Sequence, residues 1–200
     1  MKVAEAIPCI EPRGVERRWI VFDDTLALIL AYDQRRPVAS LPARLDVLFS
    51  QLAHAADDPS GFAIEDEIWE LWIGHPSGEL AAIMSAAIAA IASGDHARAQ
   101  GLLDTLIERA PDYAEAWNKR ATLHFLRGRD EASVADINRT LTLEPRHFGA
   151  IAGFAQICLR NGDPISARLA FEVALKINPR LVAVHIAVDE LARIRPTTIH

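Results

Sequence analysis

Two hundred residues, half of them apolar and only 6% aromatic, suffice for one domain with a core or for an elongated array of small units. A formal charge of −6 argues against a nucleic-acid surface, which needs clustered Lys and Arg to displace counterions from phosphate. Abundant alanine with 24% charged residues reads as a mostly helical chain, and its two cysteines, Cys9 and Cys158, make no disulfide framework.

Residues 1–40 form a leader. Thr25–Ala31, with Arg17 and Arg18 upstream and Val38–Ser40 offering small residues for cleavage, has the outline of a short signal core. Asp23 and Asp24 interrupt it, and Gln34-Arg35-Arg36 puts charge just before the would-be cut. An amphipathic helix or partly ordered leader is the favoured reading, so the cytoplasm is the expected location and the periplasm the alternative. Next, residues 41–79 hold a helix pair, Leu45–Leu52 and Ile64–Trp72, around Asp58-Pro59-Ser60-Gly61. Trp69 and Trp72 are expected in its core. The apolar run Leu80–Ala92 is too short to cross a bilayer, which takes about 20 residues, so no membrane span is expected.

From here a fixed period appears. Gly94, Gly128 and Gly162 are 34 residues apart, as are Pro111, Pro145 and Pro179; Ala82, Ala116 and Ala150; and Ile107, Leu141 and Leu175. Each unit reads as two antiparallel helices: the glycine allows the reversal between them, and the proline stops the second before the next unit begins. The units are 80–113, 114–147 and 148–181, together 80–181. Asp112 precedes Glu115 in capping-box spacing, and Asp163-Pro164 places a cap residue before a proline at the first helical position. Residues 182–200 continue the apolar periodicity as a capping helix and tail, with Pro196 beyond the helix. The 41–79 pair sits off register, Gly61 and Pro76 each missing the phase by one residue, and reads as a degenerate repeat or N-terminal cap.

This pattern resembles small bacterial tetratricopeptide-repeat (TPR) proteins. The second unit keeps Trp117, Gly128 and Pro145 but has Arg120, Ala121 and His124 where the family has Leu, Gly and Tyr, and Ser133 for its Ala. The third keeps Ala167, Phe171 and Pro179, with Ile151, Phe154, Ala155 and Cys158 on its first helix; the first carries Ile83, Ala86, Ala87, Ala90, Ala99, Leu103 and Pro111. The resemblance implies an all-α fold, an α-solenoid of antiparallel helix pairs: three 34-residue units, the degenerate N-terminal pair and the C-terminal capping helix.

The resemblance also implies a concave groove lined by first helices that binds a peptide or helical segment of another protein. Its positions here are Met84, Ile88 and Ile91; Glu115, Asn118, Thr122 and Phe125; and Ala152, Gln156 and Leu159, with Arg160 at the rim. Met84, Ile88, Lys119, Gly149 and Gly153 stand where some relatives clamp a chaperone's terminal carboxylate, so a chaperone-tail receptor is not expected. An apolar groove suits an amphipathic helix. One internal candidate for the groove is the segment Trp19–Tyr32. The alternative is that these apolar positions pack on the flanking helices and leave little groove.

No catalytic residue is assigned. There is no nucleophile with a base, no paired carboxylates in a cleft and no phosphate loop. Asp57/Asp58 and Glu65/Asp66/Glu67 fall at helix starts, where the macrodipole favours acids. None of the seven histidines belongs to an H-E-x-x-H pattern, and His54 near Asp57 and Asp58 is a spacing common by chance, so neither metal nor cofactor is expected. The chain reads as a non-catalytic interaction module or adaptor for an unknown protein or peptide. A periplasmic or envelope-associated assembly adaptor and a non-catalytic subunit of an enzyme complex are the alternatives. In Trp117–Gly128 the odd pair is Arg120 and His124, one turn apart on a face that packs within the array. An arginine there needs a carboxylate. Asp136, or failing that Glu131, is the predicted partner, with His124 as a neighbouring hydrogen-bonding group in a polar staple.

Overall fold

The computed structural model of the chain describes residues 15–55 and 60–193; Cys9, Asp57, Asp58 and Pro196 lie outside them. Among the described residues it is helical throughout, without strands. In chain order come α1 (Val15–Leu30), a 3-10 turn (Tyr32–Gln34), α2 (Arg44–Leu52) and α3 (Ser60–Ile73). Three hairpins follow: α4 (Gly78–Ala92) with α5 (His96–Arg109), α6 (Ala114–Leu126) with α7 (Asp130–Leu143), and α8 (Phe148–Arg160) with α9 (Pro164–Ile177). The last helix is α10 (Val182–Arg193). The architecture is thus an α-solenoid with extra helices at its flanks.

The periodic glycines explain the hairpins. Gly94, Gly128 and Gly162 have φ of +77°, +68° and +76°, the left-handed conformation that a side chain would disfavour. Each closes its first helix in the same Schellman motif: Asp95, Arg129 and Asp163 donate their backbone N–H to Ala90, His124 and Cys158, all at 2.9 Å. Asp163 then caps α9 through the Ser166 N–H, with Pro164 in the first turn. The capping box expected from Asp112 and Glu115 does not form. Tyr113 stands at the N-cap of α6 without a side-chain cap, because the Glu115 side chain is turned into the core.

Consecutive helices pack in sequence from α4 to α10. Two apolar clusters meet on either side of α6, one built on Leu80, Met84, Leu103, Leu106 and Leu123, the other on Ile137, Phe148, Phe154 and Phe171. Ala116 and Ala150 are buried, whereas their counterpart Ala82 is exposed, having no earlier hairpin against it.

The second cluster also takes in the N-terminal helices. α1 lies against α7 and α9, the second helices of their hairpins. Its Phe22, Thr25, Leu26 and Ile29 recur at i, i+3, i+4 and i+7, one face of a helix. Phe22 meets Phe154 at 5.6 Å between ring centroids, and Asn138 donates to Thr25 Oγ1 at 3.1 Å. The chain beyond is tied down by Arg35 Nη1 to Leu141 O (2.8 Å) and Val38 N to Leu143 O (2.9 Å). The Trp19–Tyr32 segment therefore docks on the array, but on its second helices rather than in the groove between first helices. The reason is geometric: its single apolar stripe fits the seam between two neighbouring second helices.

α2 and α3 pack on each other and span the turns that join the hairpins. Near the end of α3, Ile73 O accepts the Tyr113 hydroxyl, and the neighbouring Trp72 stacks on His147 with centroids 4.0 Å apart and an 8° tilt. Near its start, the Arg180 guanidinium lies 3.9 Å over Phe62 and donates to Ala55 O at 2.9 Å. Tyr113, His147 and Arg180 fall in three successive turns, so α3 runs antiparallel to the array as a brace along one edge. Arg146 adds a second tie, over the Phe49 ring at 4.4 Å and to Asp46 at 2.6 Å.

Candidate binding cleft between the first helices

α6 and α8 lie near one another as the first helices of adjacent hairpins. Between them opens a cleft of about 140 Å³ whose floor includes Ser133 and Ile137 of α7. Asn118, Ala121, Thr122 and Phe125 line its α6 side, and Gly149, Ala150, Gly153 and Gln156 its α8 side. Of its two glycines, Gly153 faces a lining residue, whereas Gly149 faces Trp69, outside the cleft. A Cβ at Gly153 would project toward Ile137 Cδ1, 3.8 Å away, and one at Gly149 would meet Trp69 Cη2 at 2.7 Å.

The structure sorts the predicted groove residues into three groups. Thr122, Gln156 and Arg160 are exposed; Ile88, Ile91, Phe125, Ala152 and Leu159 are half-buried. Met84, Glu115 and Asn118 are buried, at 0%, 1% and 7% exposure, and the expectation that they present surface to a partner is corrected. Met84 is enclosed by the cluster that joins α4, α5 and α6. Glu115 is held inside by its polar partners, and Asn118 by Glu115, although Asn118 still reaches the cleft wall. Met84, Ile88 and Ile91 are not among the residues lining this cleft.

Arg160 sits at the far rim, 3.8 Å over the Phe125 ring, donating to Phe125 O at 3.0 Å and paired with Asp130. Its charge is thereby committed to holding the third hairpin against the second.

Behind the cleft lies a buried polar knot that the periodicity did not announce. The Glu115 carboxylate accepts from Asn118 Nδ2 (2.9 Å) and pairs with Lys119 Nζ (2.9 Å) and His147 Nε2 (2.8 Å). His147 Nδ1 accepts the Ala150 N–H that starts α8, so the ring proton sits on Nε2 and is donated to Glu115. Burial pushes the Glu115 carboxyl up, but His147 and Lys119 outweigh it and hold it below the usual carboxylate range. Gly149 lies opposite Trp69, which pairs with Trp72 on α3, and its lack of a side chain permits the close approach, a long-range contact with no signal in the sequence.

Arg120 and Asp136 come together as the staple requires. Nε and Nη2 of Arg120 donate to the two Asp136 oxygens at 2.8 Å each, and Nη1 reaches Asp104 on α5 at 2.9 Å. Asp136 raises the arginine's affinity for its proton, and the guanidinium also lies 4.9 Å over Trp117. His124 Nε2 is 3.6 Å from Asp136. Burial lowers the His124 pKa; Asp136 opposes this, while Arg120, Arg129 and Arg127 add to it. Glu131, the second choice for Arg120, is exposed.

These groups are partners of one another. The charged ones are tied to one another inside the array, and burial pushes the Cys158 thiol up to about 12, leaving it unreactive. Among the described residues no group of three His, Cys, Asp or Glu could hold a metal ion, and no helix is long and apolar enough to cross a membrane.

Comparison with known proteins agrees with the hairpins. Residues 84–148 match the tetratricopeptide repeat model. A TPR repeat-containing protein of Rhizobium etli is 40% identical over 147 residues, covering 74% of this chain and 72% of that protein. The chain belongs to the tetratricopeptide-repeat family. TPR repeats mediate protein–protein interactions, and TPR proteins are typically non-catalytic scaffolds. In TPR terms α4, α6 and α8 are first helices, and the cleft lies between those of the second and third hairpins.

Proposed function

We propose that this TPR protein is a non-catalytic interaction module whose partner segment lies across the first helices and enters the cleft between α6 and α8. The observation that carries this reading is the cleft itself: it lies between first helices, with Thr122 and Gln156 exposed at its edge and Phe125 half-buried in its wall. The other long seam, between α7 and α9, is already filled by α1. A partner seated between α6 and α8 contacts positions 122 and 156 and leaves the opposite side of the array untouched.

The test is site-specific photocrosslinking from Gln156 and, as a control, from Ile165, an exposed apolar residue on α9 (71%). A protein adduct from position 156 that is absent from 165, and that Thr122→Glu diminishes, is the expected result. Adducts from 165 but not 156 would place the interaction elsewhere and end this reading.

A further inference from the structure

We propose that the cavity between the α1–α2 connection and Arg146 binds a small organic anion, a carboxylate or a phosphate monoester on an apolar body, with Arg35 and Arg36 as its charged ligands. The cavity is separate from the α6–α8 cleft, and the site stands or falls independently of the partner reading.

Its volume is about 600 Å³, within the roughly 300–1,000 Å³ range of small-molecule sites. One wall is the 3-10 turn and the extended run after it, from Tyr32 to Val38. The other is Leu41 and the start of α2, with Arg146 from the turn between α7 and α8. This frame is fixed before a ligand arrives. Val38 N–H and Arg35 Nη1 are bonded to Leu143 O and Leu141 O at the end of α7, and Arg146 Nη1 reaches Asp46 at 2.6 Å. Pro37 and Pro42 lock their own φ. Walls that need no ordering lower the cost of binding.

The unmatched charge inside is cationic. Arg120 and Arg146, half-buried like Arg35, hold carboxylates, whereas Arg35 has only the Leu141 carbonyl. Nη1 is its one engaged nitrogen, so its other N–H groups remain to donate. The adjacent Arg36 is exposed and makes no side-chain bond among the described residues. A partly desolvated guanidinium without a counter-ion gains from a ligand that brings one, and its planar fork suits a carboxylate or phosphate. Tyr32 adds a hydroxyl: burial, and then Asp33, push its pKa up, so it keeps its proton and can donate.

The acidic residues of the lining limit the size of the charge. Asp33 and Asp46 are exposed, and Asp46 is engaged by Arg146, whose charge the buried Glu144 also answers. Two solvated carboxylates repel a polyanion, so a nucleic-acid strand or a polyphosphate is a poor occupant and a single anionic head is favoured. The rest of the lining selects the body. Pro37, Val38, Leu41 and Pro42 offer apolar surface to a ring or short chain, which a bare inorganic anion leaves unused.

The experiment is isothermal titration calorimetry of the full chain with phenylacetate and phenyl phosphate, against benzyl alcohol, acetate and inorganic phosphate. At least one aromatic anion should saturate a single site about tenfold more tightly than the alcohol and than its own bare anion, from the charge-assisted bond and the apolar burial respectively. Whichever does so assigns the head group. Arg35→Gln, which can still donate to Leu141 O, should weaken that binding about tenfold, and Arg36→Gln several-fold, as for an exposed pair. Arg98→Gln, at an exposed arginine on α5 outside the cavity, should leave affinity unchanged. Both exposed variants should keep the parental thermal midpoint, so a loss of binding confined to Arg36→Gln is not a loss of fold. Saturation by neither anion, equal binding of anion and alcohol, or equal effects of Arg36→Gln and Arg98→Gln would overturn the site.

Discussion

Replacing Arg120 by leucine installs the residue the TPR family commonly has at this position, yet it should be among the more damaging single changes in the array. Asp136 is 5% exposed, and both its oxygens are occupied by Arg120 at 2.8 Å. With Arg120 gone, the nearest remaining cation is His124, 3.6 Å away, whose pKa burial lowers. Stranding a buried carboxylate in this way costs about 3 kcal/mol or more. For a domain of this size that is a fall in Tm of roughly 6–12 °C. Asp136→Leu should cost less, about 1–2 kcal/mol, because Arg120 keeps Asp104 and the Trp117 ring and has a route to solvent. The double variant should return to within about 1 kcal/mol of the parent, since two leucines replace a pair rather than orphan one member. Urea unfolding followed by circular dichroism gives all three values, with the slope checked for loss of cooperativity between hairpins. If the double variant loses the sum of the single losses, the two residues are not coupled, and the account of the staple is wrong.

Three further outcomes follow from the packing. Gly149→Ala should destabilise by about 1–3 kcal/mol and shift tryptophan fluorescence, because its methyl would lie 2.7 Å from Trp69, which is confined by Trp72 and Phe148. Ile29→Ala should cost about 2–5 kcal/mol in the same urea assay, while Leu30→Ala, half-exposed on the same helix, should fall within about 0.5 kcal/mol; equal effects would mean α1 is not part of the cooperative core. Acid should weaken the fold in two stages. His124, lowered from 6.5, lets the unfolded chain take a proton first, so its stability contribution declines as pH falls from there; Glu115, lowered from 4.5, contributes above that value and is lost as pH falls through its folded pKa. Tm measured against pH should lose the first decline in His124→Gln and the second in Glu115→Gln, the latter from a lower starting stability.

The hairpins were legible because one physical requirement recurs at a fixed interval: a residue that can turn left-handed after each first helix, met by Gly94, Gly128 and Gly162. The link between Arg120 and Asp136 was legible for a related reason, since phase placed both on facing sides of one hairpin. What a period cannot report is the position of helices that do not share it. The resting places of α1 and α3 depend on contacts across most of the chain, such as Asn138 with Thr25 and His147 with Trp72. The same gap explains the misassignment of Glu115. A position that faces the groove in the repeat pattern is turned inward here, because His147, 32 residues on at the start of the next hairpin, sets its Nε2 against the Glu115 carboxylate.

The seat of α1 also constrains how the molecule is made. One wall of that seat is α9, which ends at Ile177, roughly 150 residues after α1 ends at Leu30. At translation speeds of about 5–20 residues per second, that helix waits roughly 7–30 s for its wall to be synthesised. Until α7 is made Phe22, Leu26 and Ile29 lack both walls, and until α9 is made they lack one, so a ribosome-bound fragment should appear to a chaperone as an amphipathic helix with a bare side. Closure of α1 onto α9 then follows synthesis of the third hairpin, and a product cut short after α7 would keep that side partly open.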